Sequence, residues 1–151
     1  MKIARLYTRK ILATTRSAAI AEAAAAMRHF QVGSLLVMED PPATGKPVGI
    51  VTDRDLALQG FASESSTVGS VMTPVMVTVS ETADIHEALE LMRAHGVRRL
   101  LVTGADGKFT GILSIDDLID GLSADLAAAS AVLKGEIRGD AAGLGNVKIG
   151  G

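Results

Sequence analysis

Two short stretches hold the residues best suited to chemistry, Thr52-Asp53-Arg54-Asp55 and Ser114-Ile115-Asp116-Asp117. In each, a hydroxyl stands three residues before an acid, the spacing of a capping box. The hydroxyl accepts from the backbone N–H three residues on, and the acid bonds back to the first residue's N–H. That reading needs no ligand. The same geometry also suits an anion. A helix start presents free N–H groups and a partial positive charge to a phosphate, and the hydroxyl of Thr52 or Ser114 can add a bond. The carboxylate of Asp55 or Asp117 has two acceptor oxygens, enough for both hydroxyls of a vicinal diol. Arg98 and Arg99 are candidate anion ligands. Side chains alternate along a strand, so only one of the two is expected to face a given cleft. Arg54, Lys46 and Lys108 could also reach a phosphate, although surface lysines are ordinarily just solvated.

Other titratable residues do not assemble into a catalytic set. Asp53 and Asp116 sit beside the motif acids, but adjacent residues at a helix start point in different directions, and no nucleophile or base accompanies them. His29, His86 and His95 lack metal-ligand spacing, because His86 and His95 fall on different faces of one helix. There is no cysteine, which excludes disulfides, thiolate zinc sites and cysteine nucleophiles. No catalytic residue, metal site or cofactor is expected, and the chain reads as a non-enzyme.

The elements that must position these residues occur twice. Ile20, Met27, Val32 and Val37 recur at one constant offset as Ile85, Met92, Val97 and Val102, and Ile3, Leu6 and Thr8 recur as Val68, Val71 and Thr73. Gly49-Ile50-Val51-Thr52 and Asp55-Leu56 recur as Gly111-Ile112-Leu113-Ser114 and Asp117-Leu118, with a longer loop holding Pro41-Pro42 in the first copy. Ile11-Leu12 and Val75-Met76-Val77 suit strands. Residues 18–31 and 83–95 have helical periodicity, and Leu35–Met38 and Leu100–Val102 suit buried strands. Gly104-Ala105-Asp106-Gly107 predicts a hairpin turn into a strand from Phe109 to Leu113, and Gly45-Lys46-Pro47 plays that part in the first copy. Short helices follow over Asp53–Gly60 and Ile115–Leu122. The expected fold class is α/β, with two pseudo-twofold-related β-α-β-β-α units packed sheet to sheet in one module. One such unit alone would bury too little surface. The first unit is expected over residues 3–62 and the second over 67–122. A short C-terminal helix should cover 123–134, and a Gly-rich tail from 135 to 151 should be mobile.

Composition narrows the function classes. Of 151 residues, 48% are apolar, so a core is expected and wholesale disorder is not. The net charge of −2 gives no bulk attraction for nucleic acid. The basic start Met1-Lys2-Ile3-Ala4-Arg5 leads into no apolar run, so neither a signal peptide nor a membrane span is expected. A cytoplasmic location is the expectation.

The order of elements and the duplicated Gly-hydrophobic-x-Thr/Ser-x-x-Asp motif, with Met72-Thr73-Pro74 and Val97-Arg98-Arg99-Leu100, resemble the CBS domain (cystathionine β-synthase domain), which occurs in tandem pairs called Bateman modules. The resemblance covers about residues 3 to 122. Family members often carry proline where this chain has Leu36 and Leu101. The resemblance implies that Thr52 and Ser114 contact phosphate and that Asp55 and Asp117 contact ribose. It also implies an adenine slot on the edges of the first two strands of each unit. Those edges are Val77-Thr78-Val79 with Arg98-Arg99-Leu100, and Leu12-Ala13-Thr14 with Gly33-Ser34-Leu35. The ligand would be AMP, ADP, ATP or S-adenosylmethionine. With arginines in the second half only, the site using Ser114 and Asp117 is expected to be the better anion binder. The implied function is a stand-alone regulatory pair that binds an adenine nucleotide and signals to a partner protein still to be identified. The alternative is a ligand-free dimerisation module. A homodimer is expected through the Ala- and Met-rich helices, including the run Ala23–Ala26.

Overall fold

Leu35, Leu36 and Val37 are consecutive, apolar and all buried, which a strand allows only where both of its faces are covered. The computed structural model describes residues 1–40, 47–59, 66–74 and 77–143. In it the first repeat forms β1 (Ala13–Thr15), α1 (Ile20–Phe30), β2 (Ser34–Met38), β3 (Pro47–Thr52) and α2 (Asp53–Gln59). A short helix α3 (Val68–Val71) follows. The second repeat forms β4 (Thr78–Ser80), α4 (Ile85–His95), β5 (Arg99–Thr103), β6 (Phe109–Ser114) and α5 (Ile115–Gly143). Each repeat makes a three-stranded mixed sheet. β1 pairs parallel with β2 across the α1 crossover, β2 pairs antiparallel with β3, and β4, β5 and β6 repeat the pattern.

Period-two alternation explains the double burial. Leu35, Val37 and Val51 point to the helices of the first repeat and pack with Ala23, Met27 and Leu56. Leu36 and Ile50 point the other way and meet Leu101 and Ile112 of the second repeat. The two sheets therefore face each other across a cluster built from both repeats, as the sheet-to-sheet arrangement requires. Leu36 and Leu101, the positions where the family often has proline, form the centre of that contact. Leucine suits it because an apolar side chain is needed there and each strand keeps its ladder N–H.

The segments that precede the repeats cross over. Ile3, in a 3-10 turn at Ile3–Arg5, is fully buried in the core of the second repeat with Val79, Ala88 and Leu113. Its N–H donates to the Ala83 carbonyl at 3.1 Å. In return Val68 and Val71 of α3 pack in the core of the first repeat, and the Val68 N–H donates to the Ala18 carbonyl at 2.9 Å. Thr8 then bridges to Ile112, and Thr73 bridges to Ile50. The motif glycines follow from these crossings. A Cβ on Gly49 would stand 2.7 Å from the Thr73 carbonyl oxygen, and one on Gly111 would stand 2.5 Å from that of Thr8. Only glycine lets the two backbones approach so closely.

Several expected elements shift. Ile11 and Leu12 lie before β1 rather than in it, although the Leu12 carbonyl already accepts from the Leu36 N–H at 2.9 Å. Val75 and Met76 lie outside the described residues, and β4 starts at Thr78. The hairpin turn at Gly104–Gly107 forms, with the Gly107 N–H donating to the Gly104 carbonyl at 3.0 Å and Gly107 at φ +76. Its counterparts Gly45 and Lys46 lie outside the described residues. At the C-terminus the expected helices at 115–122 and 123–134 are one unbroken helix of 29 residues, and it continues through 135–143, where a tail was expected. Gly121 and Gly135 each cost such a helix about 1 kcal/mol, and no proline stops it. Residues 144–151 lie outside the described residues. No helix among the described residues is long and apolar enough to cross a membrane.

Candidate functional site

Strand β3 ends in Thr52 and runs directly into α2, and β6 ends in Ser114 and runs directly into α5. Each hydroxyl is therefore held at a helix start by a rigid strand. Both capping boxes are formed. The Thr52 N–H donates to Asp55 Oδ2 at 2.9 Å, and the Asp55 N–H donates to Thr52 Oγ1 at 3.1 Å. At the second motif the Ser114 N–H and hydroxyl both donate to Asp117 Oδ2 at 2.8 Å, and the Asp117 N–H donates to Ser114 Oγ at 3.1 Å. The caps leave Oδ1 of each acid without a protein hydrogen bond among the described residues. A carboxylate held by one oxygen and open at the other is rigid and still able to accept from a ligand.

Two cavities open beside these motifs, and each combines the two repeats. The first, of about 440 Å³, is lined by Thr52, Asp53, Arg54 and Asp55 of the first repeat and by Gly96, Val97, Arg98 and Arg99 of the second, with Thr73 at its side. The second, of about 330 Å³, is lined by Ser114 and Asp117 of the second repeat and by Gln31, Val32, Gly33 and Ser34 of the first, with Thr8, Lys10 and Leu12. Ile50 lines the first and Ile112 the second. Nearly every member of one set has its repeat equivalent in the other, so the cavities are related by the pseudo-twofold. Both are within the size range of small-molecule sites.

This pairing corrects the expected charge assignment. Arg98 shares a cavity with Thr52 and Asp55, not with Ser114 and Asp117, and Arg99 lines both, so the first cavity takes both arginines where alternation predicts one. The reason is the sheet-to-sheet packing, which sets the strand edge of one repeat against the helix start of the other. The sequence places a motif next to its own strands and cannot show that crossing. The first cavity thus holds Arg54, Arg98 and Arg99, and the second holds Lys10 and Arg99. Among the described residues none of these arginines lies within ion-pair distance of a carboxylate.

The remaining expected site residues divide. Ser34 lines the second cavity. Val79 does not face a cleft. Alternation turns it into the core of the second repeat, where it is buried beside Ala88. Thr78 and Thr14 sit in β4 and β1 and line neither cavity. Thr8, Thr73, Lys10, Gln31 and Val97 were not expected in a site. The repeat register, which aligns Thr8 with Thr73, was the available signal for the first two. No group of three or more His, Asp or Glu side chains able to hold a metal occurs among the described residues.

A cavity with a hydroxyl, apolar strand edges, and a carboxylate oxygen and guanidinium groups that have no partner among the described residues can hold a phosphorylated, diol-bearing ligand. The comparisons agree with the architecture. The CBS domain model matches residues 3–59 and 68–124. The uncharacterized protein YlbB of Bacillus subtilis is 39% identical over 120 residues, 78% of this chain and 79% of that protein. A CBS domain protein from Pyrobaculum aerophilum, solved as a complex with AMP, is 26% identical with a TM-score of 0.61 and covers 78% of this chain and 89% of its own. CBSX2, also solved in complex with AMP, is 27% identical with a TM-score of 0.59 and covers 80% of this chain and 95% of its own. Two matched repeats, each with its own sheet and motif, place this chain in the CBS domain family as a tandem pair.

Proposed function

We propose that this protein is a stand-alone regulatory CBS pair, without enzymatic activity, that binds an adenine nucleotide between its repeats and passes the change to a partner protein. The carrying observation is the pair of cavities in which the hydroxyl and acid of one repeat meet the strand edge of the other. The acids Asp55 and Asp117 would accept from the ribose hydroxyls. Thr52, Ser114 and the arginines would bind phosphate. The backbone edges at Val97–Arg98 and Val32–Gly33 would hold the base. Relatives solved with AMP support an adenosyl ligand. The cavity of Thr52 and Asp55 sets three arginines against Asp53, Asp55 and Asp116, and in this reading their guanidinium forks make it the stronger anion site.

A ligand-free module is the second reading, favoured by the fact that both capping boxes close without a ligand. A thermal-shift screen with AMP, ADP, ATP and S-adenosylmethionine separates the two. A ligand of the native state raises Tm by mass action, by an amount equivalent to about 2.7 kcal/mol at a hundred times Kd. No shift with any of the four overturns the nucleotide reading.

We also propose a homodimer. Met27 and Met92 point into the cores of their own repeats and cannot form its surface. Met1, Phe30, Leu58 and Phe109 are scattered elsewhere, but most of the large exposed apolar side chains lie on α5, at Ile119, Leu122, Leu126, Val132 and Leu133. A twofold pairing of two copies would cover them.

A further inference from the structure

The pseudo-twofold is broken at the wall between the two cavities. Two side chains, Arg99 and Asp53, line both. The repeat register places Arg99 where the first repeat has Ser34, and Asp53 where the second repeat has Ile115. Ser34 does not reach across, since it lines only the second cavity, whereas Ile115, like Asp53, lines the cavity opposite its own motif. The sharing by Arg99 is therefore a property of its charged side chain and not of its backbone position. Arg99 is half-buried at the first residue of β5. Asp53 is held at the start of α2, where its N–H donates to the Gly33 carbonyl at 3.0 Å and its Oδ1 accepts from the Arg54 N–H at 2.8 Å. Arg99 has no carboxylate within ion-pair distance among the described residues, so Asp53 does not neutralise it.

We propose that Arg99 is a common anion ligand of the two sites, so that AMP in either cavity weakens AMP binding in the other. The proposal rests on the nucleotide reading of both cavities. A guanidinium is planar, and its donors form a fixed fork that matches one phosphate in a bidentate pair. Once Arg99 is turned to a phosphate on one side, its fork is not directed to the other. The second ligand then meets the Asp53 carboxylate and the first ligand's phosphate, two like charges, with one cation fewer. The first cavity keeps Arg54 and Arg98 and fills first. The second keeps only Lys10 and fills late.

Isothermal titration calorimetry with AMP tests this on the parent, Asp55→Asn and Asp117→Asn, and on both acid variants with Arg99→Ser added. Serine is the residue the first repeat already carries at this position. Arg99→Ser is expected to weaken the remaining strong site about tenfold in both backgrounds, a common size for loss of a charged hydrogen bond. Arg98→Ser should do so only in Asp117→Asn, where the cavity of Asp55 is intact. By linkage, the weaker step of the parent should be at least about fivefold weaker than the Asp117 site measured alone in Asp55→Asn. Arg99→Gln, which keeps most of the side chain's length, should repeat the pattern if the serine variant folds poorly. An effect of either Arg99 variant in only one background overturns the proposal. So does a parent isotherm that reproduces the two single-site constants unchanged. Failure of the parent to bind AMP at all removes the nucleotide reading itself.

Discussion

At Asp117 a single carboxylate does two jobs with two oxygens. Oδ2 closes the cap with Ser114, and Oδ1 has no hydrogen-bond partner among the described residues. Asn can keep the cap, since a side-chain carbonyl serves there as well, but it gives up the charge-assisted bonds to a diol. Asp117→Asn and Asp55→Asn are therefore expected to leave unfolding free energy within about 0.5 kcal/mol of the parent. Each should weaken nucleotide binding at its own site by about ten- to a hundredfold. Calorimetry and urea unfolding on the same samples check the two halves. The larger loss should come from Asp55→Asn, because in the proposed reading Arg54 and Arg98 make that cavity the stronger one. Gly111 has the opposite character, being structural although it belongs to the same motif. Gly111→Ala sets a Cβ against the Thr8 carbonyl and the Tyr7 ring. It should cost about 1–3 kcal/mol by overpacking, seen as a lower urea midpoint.

At the level of elements, equivalent helices of the two repeats are finished differently. Helix α4 has Asp84 as its N-cap, accepting from the Glu87 N–H at 3.0 Å, and Gly96 as its left-handed C-cap at φ 63. Helix α1 has Ala19 at the first position, with no side-chain cap, and Gln31 at the second, at φ 54. A non-glycine residue pays about 1–2 kcal/mol for that conformation. Ala19→Asp is expected to raise stability by about 0.5–2 kcal/mol, and Gln31→Gly by up to about 1 kcal/mol, both measured by thermal unfolding. The N-cap of α4 also predicts a pH dependence. The Glu87 N–H is the main cause that holds the Asp84 carboxyl below its ordinary value; burial opposes it as the next largest effect, and the His86 N–H, Lys2 and the chain's amino terminus add smaller lowering effects. A lowered folded value means the contribution is complete above the ordinary carboxylate pKa of about 3.9 and is lost as pH falls through the folded value. The stability gap between the parent and Asp84→Ala should therefore narrow between pH 7 and pH 3 in urea titrations.

For the whole molecule, the two repeats are bound together three times over. The sheets share Leu36, Ile50, Leu101 and Ile112, the entry segments exchange cores, and each cavity draws on both repeats. The module is expected to unfold as one cooperative unit, and neither repeat should fold alone. Helix α5 leaves this body. Every residue from Leu122 to Gly135 is exposed, and Leu126 is 73% and Leu133 63% accessible. Ile119, Leu122, Leu126 and Leu133 recur at spacings of three, four and seven, an apolar stripe along one face that fits the proposed pairing. Replacing Leu126 and Leu133 by Glu should turn a dimer into a monomer by light scattering at micromolar concentration. It should leave the melting of the body unchanged, because neither side chain packs on it.

Much of this was written in the chain. Repetition at a constant offset gave two like units, because the same pattern of apolar spacing must fold the same way twice. Apolar runs gave β2, β5 and β6, and turn chemistry the Gly104–Gly107 hairpin, whereas β1 and β4 lie just beyond the runs expected for them. The Thr-x-x-Asp and Ser-x-x-Asp spacings gave the caps, since those bonds are local and depend on three intervening residues alone. What tertiary structure decided was non-local. Local pattern cannot tell whether an entry segment docks on its own repeat or on the other, since the repeats are alike. The same ambiguity hid the place of Arg98, which a sequence neighbour would assign to Ser114 and Asp117. The face-to-face packing of the sheets sets it across from Thr52 and Asp55 instead, because joining two half-buried sheets brings the strand edge of each against the helix start of its twin.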